Sequence, residues 1–264
     1  MRSTTATSLI VAFLAAAPAA AGDRVDSLIE TAARFSEAGR ALDPVALRAS
    51  CGADALCVAR AVVASVPNAT LVPVDHPDTD SIRWVRNEAS VAEARAEEDG
   101  RLYLRLAGFG RKAAFELAEA VASHGAAGTI VLDLRGQGGG SLDRMLEVAA
   151  LFAGPHKDAL RLDGPEGRVF LDLPEPVAAL HPADLTVLVD GGTASSAEML
   201  AALLRVHARA RILGTRTRGK DWLNRLIPID HDWRLNLPAE RVTVPGTEIA
   251  GGLRPDAGLA AAGW

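Results

Sequence analysis

Two short apolar runs, residues 129–134 and 185–189, each end in a glycine-bearing loop and lead directly into an Ala/Leu-rich stretch of helical length. Strand, glycine turn and helix in that order restrict the chain to folds in which helices pack on a sheet. The pattern continues on both sides. Strands are expected at 101–107, 129–134, 185–189 and 210–213, helices at 111–124, 141–152 and 196–208, and extended segments from there to about residue 245. The class is mixed α/β. With 264 residues, 49% hydrophobic and 23% charged, the chain can bury one sizeable core and carry a small appendage.

The second of these turns carries chemistry. In Gly191-Gly192-Thr193-Ala194-Ser195-Ser196-Ala197-Glu198, Ser195 sits where the strand ends and the helix begins. A hydroxyl there projects from the sheet edge, and backbone N–H groups at a helix N-terminus stabilise negative charge developing on a substrate oxygen. Serine is also an ordinary helix N-cap, and that reading of Ser195 stands beside the chemical one. Gly219-Lys220 follows, and a serine with a lysine points to a hydrolase whose base is lysine. Lysine near pKa ~10.4 is almost wholly protonated at neutral pH, so burial and nearby cations must depress it. Arg216 and Arg218 are close in sequence. If an extended segment starts at Lys220, side chains 220, 222 and 224 share one face. Asn224 can then orient the amine and Trp222 can exclude water.

The motifs resemble those of the carboxyl-terminal processing proteases, the tail-specific serine peptidases. That family's Asp-Leu-Arg-x-Asn-x-Gly-Gly appears as Asp133-Leu134-Arg135-Gly136-Gln137-Gly138-Gly139-Gly140, and its Ser-Ala-Ser-Ala-Ser-Glu as Thr193-Ala194-Ser195-Ser196-Ala197-Glu198. Its Gly-Lys-Gly-x-x-Gln appears as Gly219-Lys220-Asp221-Trp222-Leu223-Asn224, and its closing Gly-Ile-x-Pro-Asp as Gly252-Leu253-Arg254-Pro255-Asp256. Four motifs occur in the family's order between residues 101 and 256. The resemblance implies a crotonase/ClpP-like superhelical peptidase core, a serine endopeptidase acting through an acyl-enzyme, and no cofactor or metal. It makes Ser195 the nucleophile, Lys220 the general base and Asn224 the residue holding the lysine. The oxyanion hole would come from the backbone N–H of Ser196 and of Gly139 or Gly140.

Several positions depart from the family pattern. Asn224 is one methylene shorter than the glutamine it replaces, Asp221 places an anion beside the base and would raise its pKa, Ser196 adds a hydroxyl where the family has alanine, and Ala197 replaces a serine. A weak or inactive relative that binds peptides or apolar ligands in the same cleft is therefore the alternative. Two other chemistries fit less well. Residues 214–220 have the spacing of a phosphate-binding loop, but Asp221 stands where Ser or Thr is required and the chain beyond reads as extended. A histidine base would need one of six histidines, of which His207 ends the helix after Ser195 and His231 lies between two aspartates in a turn.

Residues 1–21 combine Arg2, an apolar run over 9–17 and Ala19-Ala20-Ala21, the pattern of a secretory signal peptide, so the mature chain is expected to be periplasmic or secreted. No other membrane span is apparent. Export makes a local disulfide between Cys51 and Cys57 the expectation, with two buried thiols the alternative. Residues 22–66 read as a helical segment, with Val25, Leu28, Ile29, Ala32 and Ala33 on one stripe and a second helix over 44–66. Residues 67–100 read as a connector with one strand or turn at 82–85, and 101–264 as the protease core. Family members commonly insert a PDZ domain at that connector, and 67–100 is too short for one. A net charge of −5 and 4% aromatic residues give no case for nucleic acid. The expected partner is a protein or peptide substrate. A regulatory partner or homo-oligomer is left open.

Overall fold

The computed structural model describes residues 21–74, 90–125 and 128–262. The expected signal peptide (apart from Ala21) and the expected strand or turn at 82–85 lie outside them. The order is α1 (Ala21–Phe35), α2 (Glu37–Arg40), α3 (Pro44–Cys51), α4 (Ala55–Ser65), β1 (Thr70–Pro73), β2 (Val91–Ala96) and β3 (Leu102–Leu106). There follow α5 (Ala113–Ser123), β4 (Thr129–Asp133), α6 (Leu142–Ala153), β5 (His156–Gly164), β6 (Gly167–Leu173), β7 (Asp184–Val189) and α7 (Ser196–His207). β8 (Arg211–Gly214), β9 (Trp222–Pro228) and β10 (Trp233–Thr243) come next, then a 3₁₀ turn at Leu259–Ala262.

One sheet has the order β2-β3-β4-β7-β8, with β3, β4, β7 and β8 parallel and β2 antiparallel at the edge. Its parallel strands are apolar on both faces because both faces are covered. Leu104, Leu132, Val187 and Ile212 pack with Leu117 of α5, Met145 and Val148 of α6, and Leu200 and Leu203 of α7. On the other face Tyr103, Val131, Leu188 and Leu213 meet Ala257 and Leu259. All four parallel strands run the same way. The loops after β4, β7 and β8 therefore gather at one sheet edge, and those loops contain the glycine motif, Ser195 and Lys220.

The second sheet is antiparallel, in the order β1-β10-β5-β6, with β9 also on β10. The N-terminal helices pack on it. Val25, Leu28, Ile29 and Ala32 of α1 form a separate core with Val58, Ala59 and Val62 of α4 and with Leu235 and Leu237 of β10, so the expected stripe is a packing surface.

Three expectations need correction. The helix expected over 44–66 is two helices, because Gly52 breaks the first at φ +58° and Asp54 caps the second by accepting from the N–H groups of Leu56 and Cys57. Cys51 and Cys57 are bonded across that break, with Cα atoms 5.5 Å apart. The hairpin β5–β6 occupies a stretch for which no element was expected. The segment 67–100 is also more than a connector: β1 pairs with β10 and β2 with β3, so its described ends belong to the two sheets.

Candidate active site

Ser195 stands at the N-cap of α7 with φ +56° and ψ −126°, a conformation that a side chain with a Cβ adopts only under constraint. The constraint is visible. Asp190 at the end of β7 accepts from the N–H groups of Gly136 (2.9 Å), Gly192 (2.8 Å) and Thr193 (3.0 Å), tying the serine turn to the glycine loop. Burial would raise its carboxyl pKa, but these donors together hold it below the usual value. The Thr193 hydroxyl donates to the Leu134 carbonyl at 2.9 Å, and the Ala194 N–H to that of Gln137 at 3.0 Å. Gly139 closes against the serine: a Cβ there would lie 2.8 Å from Ser195 Cβ, so only glycine fits. At the root of the same loop Asp133 accepts the Tyr103 hydroxyl at 2.6 Å and the Arg135 guanidinium and N–H at 2.6 to 3.0 Å. Burial works against its ionisation. The Arg135 and Tyr103 hydrogen bonds prevail and keep its pKa low.

The link between serine and lysine is Glu198, which is fully buried. Its Oε2 accepts from the Ser195 N–H at 2.8 Å and from the Lys220 N–H at 2.8 Å, while Oε1 accepts from the Thr217 hydroxyl and the Gly219 N–H, each at 2.5 Å. The two backbone nitrogens on Oε2 can therefore be no farther apart than twice that distance. The lysine loop is held on its other side too. Arg218 N–H donates to the Thr193 carbonyl at 3.1 Å, Leu253 N–H to the Thr217 hydroxyl at 2.7 Å, and a Cβ on Gly219 would lie 2.5 Å from the nitrogen of Gly252. Thus the closing Gly252 to Asp256 motif braces the lysine loop. Asp256 in turn accepts from the Ile212 N–H at 2.7 Å and pairs with Arg205 at 2.9 Å.

Lys220 keeps an exposed residue surface, yet the protein around its amine lowers its pKa, first by burial and then through Arg218, with Glu198 pulling the other way. Of the two neighbouring arginines, Arg218 acts on it, whereas Arg216 turns to the Gly252 carbonyl at 3.3 Å. The anion expected to oppose the base does not do so. Asp221 is buried and faces Arg241 at 3.5 Å, and Arg241 also lies over the Trp222 ring at 5.1 Å. Asn224 lies on β9 with Oδ1 buried and without a hydrogen-bond partner among the described residues, so no bond joins it to Lys220 in this structure. The Ser196 hydroxyl donates to the Gly140 carbonyl at 2.9 Å. His207 ends α7 against His156, ring centroids 4.4 Å apart, and burial lowers its pKa. His231 is exposed in the β9–β10 turn. Lys220 precedes a strand, not the helix of a phosphate-binding loop. No described helix is long and apolar enough to cross a membrane.

Sequence reasoning assigned no role to Glu198, Asp190, Gln137 or the Asp133–Arg135 pair. For Glu198 a signal existed: Ser-x-x-Glu at a helix start is a capping box, and a carboxylate in an otherwise apolar helix must find donors.

Comparison with known proteins bears on the family and the fold. A carboxy-terminal-processing protease of Bartonella bacilliformis is 33% identical over 138 residues, covering 48% of this chain and 30% of that protein. The chain thus spans less than a third of that relative's length. Among solved structures, the photosystem II D1 C-terminal processing protease shares the fold with a TM-score of 0.52 at 24% identity, over 72% of this chain and 48% of that one. A lipoprotein from Streptococcus agalactiae shares it with a TM-score of 0.70 at 13% identity, over 92% and 93%. The model of peptidase family S41 matches residues 101–259, more than half of the sequence and a span that includes the serine turn, the lysine loop and the closing motif, and the chain belongs to that family.

Proposed function

We propose that the protein is a serine endopeptidase of the carboxyl-terminal processing type, acting on exported proteins in the periplasm or outside the cell. The observation that carries this reading is the single carboxylate oxygen of Glu198 accepting from both Ser195 and Lys220, which holds a serine and a lysine of lowered pKa at one sheet edge. Ser195 Oγ attacks the peptide carbonyl carbon as its proton passes to the neutral Lys220 amine. The tetrahedral oxyanion rests on backbone N–H groups of the glycine loop and of Ser196. As the C–N bond breaks, Lys220 returns the proton to the leaving amine. A water then attacks the acyl-enzyme ester, giving its proton to Lys220, and the carboxylic acid leaves with Ser195 reprotonated. Asn224 Oδ1, a buried acceptor four residues from the base, is the group for the Lys220 amine to use.

Turnover of unfolded casein tests the dyad. Ser195→Ala and Lys220→Ala should each abolish it, with the double variant little worse, because the two act as one unit. Undiminished turnover by Lys220→Ala would remove lysine from the mechanism. Cell fractionation tests export.

A further inference from the structure

Two side chains that differ from the family motif both touch the glycine loop facing Ser195. Gln137, 3% exposed, folds its amide back so that Oε1 accepts the Gly139 N–H at 2.7 Å. Ser196, 1% exposed, donates its hydroxyl to the Gly140 carbonyl at 2.9 Å. The two bonds fall on either side of one peptide plane. Gly139 N–H belongs to the plane before it and the Gly140 carbonyl to the plane after it. The plane between them carries the Gly140 N–H. Both flanking residues are glycines at φ +109° and +148°, so nothing intrinsic to the chain would stop that plane from turning over. Its surroundings are those of an oxyanion site: a Cβ on Gly139 would lie 2.8 Å from Ser195 Cβ and 3.2 Å from the Ser196 nitrogen. Neither the Gly140 N–H nor the Ser196 N–H has an acceptor among the described residues.

We propose that Gln137 and Ser196 are positioning residues that assign the oxyanion hole, Gln137 by engaging the Gly139 N–H and so removing it from the hole, Ser196 by pinning the Gly140 peptide. The hole then consists of the Gly140 and Ser196 N–H groups. Ser196, a hydroxyl where the family motif has alanine, donates its proton to the Gly140 carbonyl. This rests on the reading of Ser195 as the nucleophile.

The test measures casein turnover and the rate at which a fluorophosphonate labels Ser195, in the wild type, Ser196→Ala, Ser196→Thr and Gln137→Met, with Ser195→Ala as reference. Losing an oxyanion donor outright lowers kcat by about 10²- to 10³-fold, so losing a brace should lower both kcat and labelling by about tenfold. KM and the ascending limb of the pH profile should stay in place, because neither brace touches Lys220. Ser196→Thr keeps the hydroxyl and should recover most of the rate. Wild-type rates in Ser196→Ala would overturn the proposal for Ser196, as would a loss that Thr does not recover, and wild-type rates in Gln137→Met would overturn it for Gln137. If Gln137→Met does not fold, Gln137→Leu, which also offers the Gly139 N–H no acceptor, takes its place and should show the same drop. Labelling or turnover by Ser195→Ala would instead remove the nucleophile assignment, and with it the proposal.

Discussion

Replacing Glu198 with glutamine separates its geometric role from its electrostatic one. The amide keeps one acceptor oxygen and turns the other into an NH₂ group, which must face two donors wherever it is placed. The less costly orientation keeps the oxygen on Ser195 and Lys220 and turns NH₂ toward Thr217 and Gly219. Thr217 can then rotate its hydroxyl, leaving the Gly219 N–H and one weakened contact uncompensated. A buried polar group left unpaired costs about 1–3 kcal/mol, so Glu198→Gln should lose about 2–4 kcal/mol and Glu198→Ala, which loses all four bonds, more. At about 2–4 °C per kcal/mol for a chain of this size, Tm should fall by roughly 5–15 °C in the glutamine variant. Displacement of the lysine loop by even about 1 Å should reduce kcat on the order of a hundredfold. The electrostatic effect has the opposite sense. Glu198 raises the pKa of Lys220, and the proposed mechanism needs that amine neutral, so removing the charge lowers the pKa and should move the ascending limb of the pH profile to lower pH. Thermal denaturation and pH-dependent casein turnover read both effects. A glutamine variant with wild-type Tm and kcat, or with the limb moved to higher pH, would refute the reasoning.

Arg218→Gln removes a cation that depresses Lys220, so its ascending limb should move to higher pH, whereas Arg216→Gln should leave the limb in place. Asp221→Gly should also leave the limb unmoved while lowering Tm, because the carboxylate is engaged with Arg241; a shift of the limb to lower pH would show that it acts on the base. Reducing the Cys51–Cys57 bond should cost about 2 kcal/mol and expose amides of α3 and α4 to hydrogen exchange before those of the parallel sheet, since the bridge closes only a short loop; uniform exchange across both regions would contradict this.

What the sequence revealed follows from where each residue is buried. The parallel strands were legible because Leu132 and Val187 face helices while Val131 and Leu188 face the C-terminal segment, so burial on both faces writes a continuous apolar run. The hairpin β5–β6 was not, because Lys157, Asp158, Arg168 and Asp172 lie on its solvent side and hide the few buried positions such as Leu160 and Leu173. The break at Gly52 and Asp54 was written in ordinary cap chemistry, but apolar spacing continued across it and prevailed in the reading. At the site, residue types and order pointed to Ser195, Lys220 and the glycine loop, which the fold brings to one sheet edge. They could not give the positive φ of Ser195 or the direction of Asp221, whose partner Arg241 arrives on a different strand through sheet pairing.

With Ser195 and Lys220 acting as proposed, the lysine loop also resolves a conflict built into any serine-lysine pair. Holding the two residues together needs a strong acceptor between them, yet an anion near the amine keeps the lysine protonated. In this chain the carboxylate of Glu198 spends its lone pairs on three backbone N–H groups and one hydroxyl, so its charge is met by fixed dipoles and not by the Lys220 amine. Burial and the guanidinium of Arg218 then outweigh what remains of its pull. Because the residue still meets water, a peptide lying in the cleft adds to the first of those effects by displacing that water. Occupancy of the cleft and availability of the base are thus coupled on the reading proposed here, and the coupling depends on an anion placed where backbone donors, not the lysine amine, take up its charge.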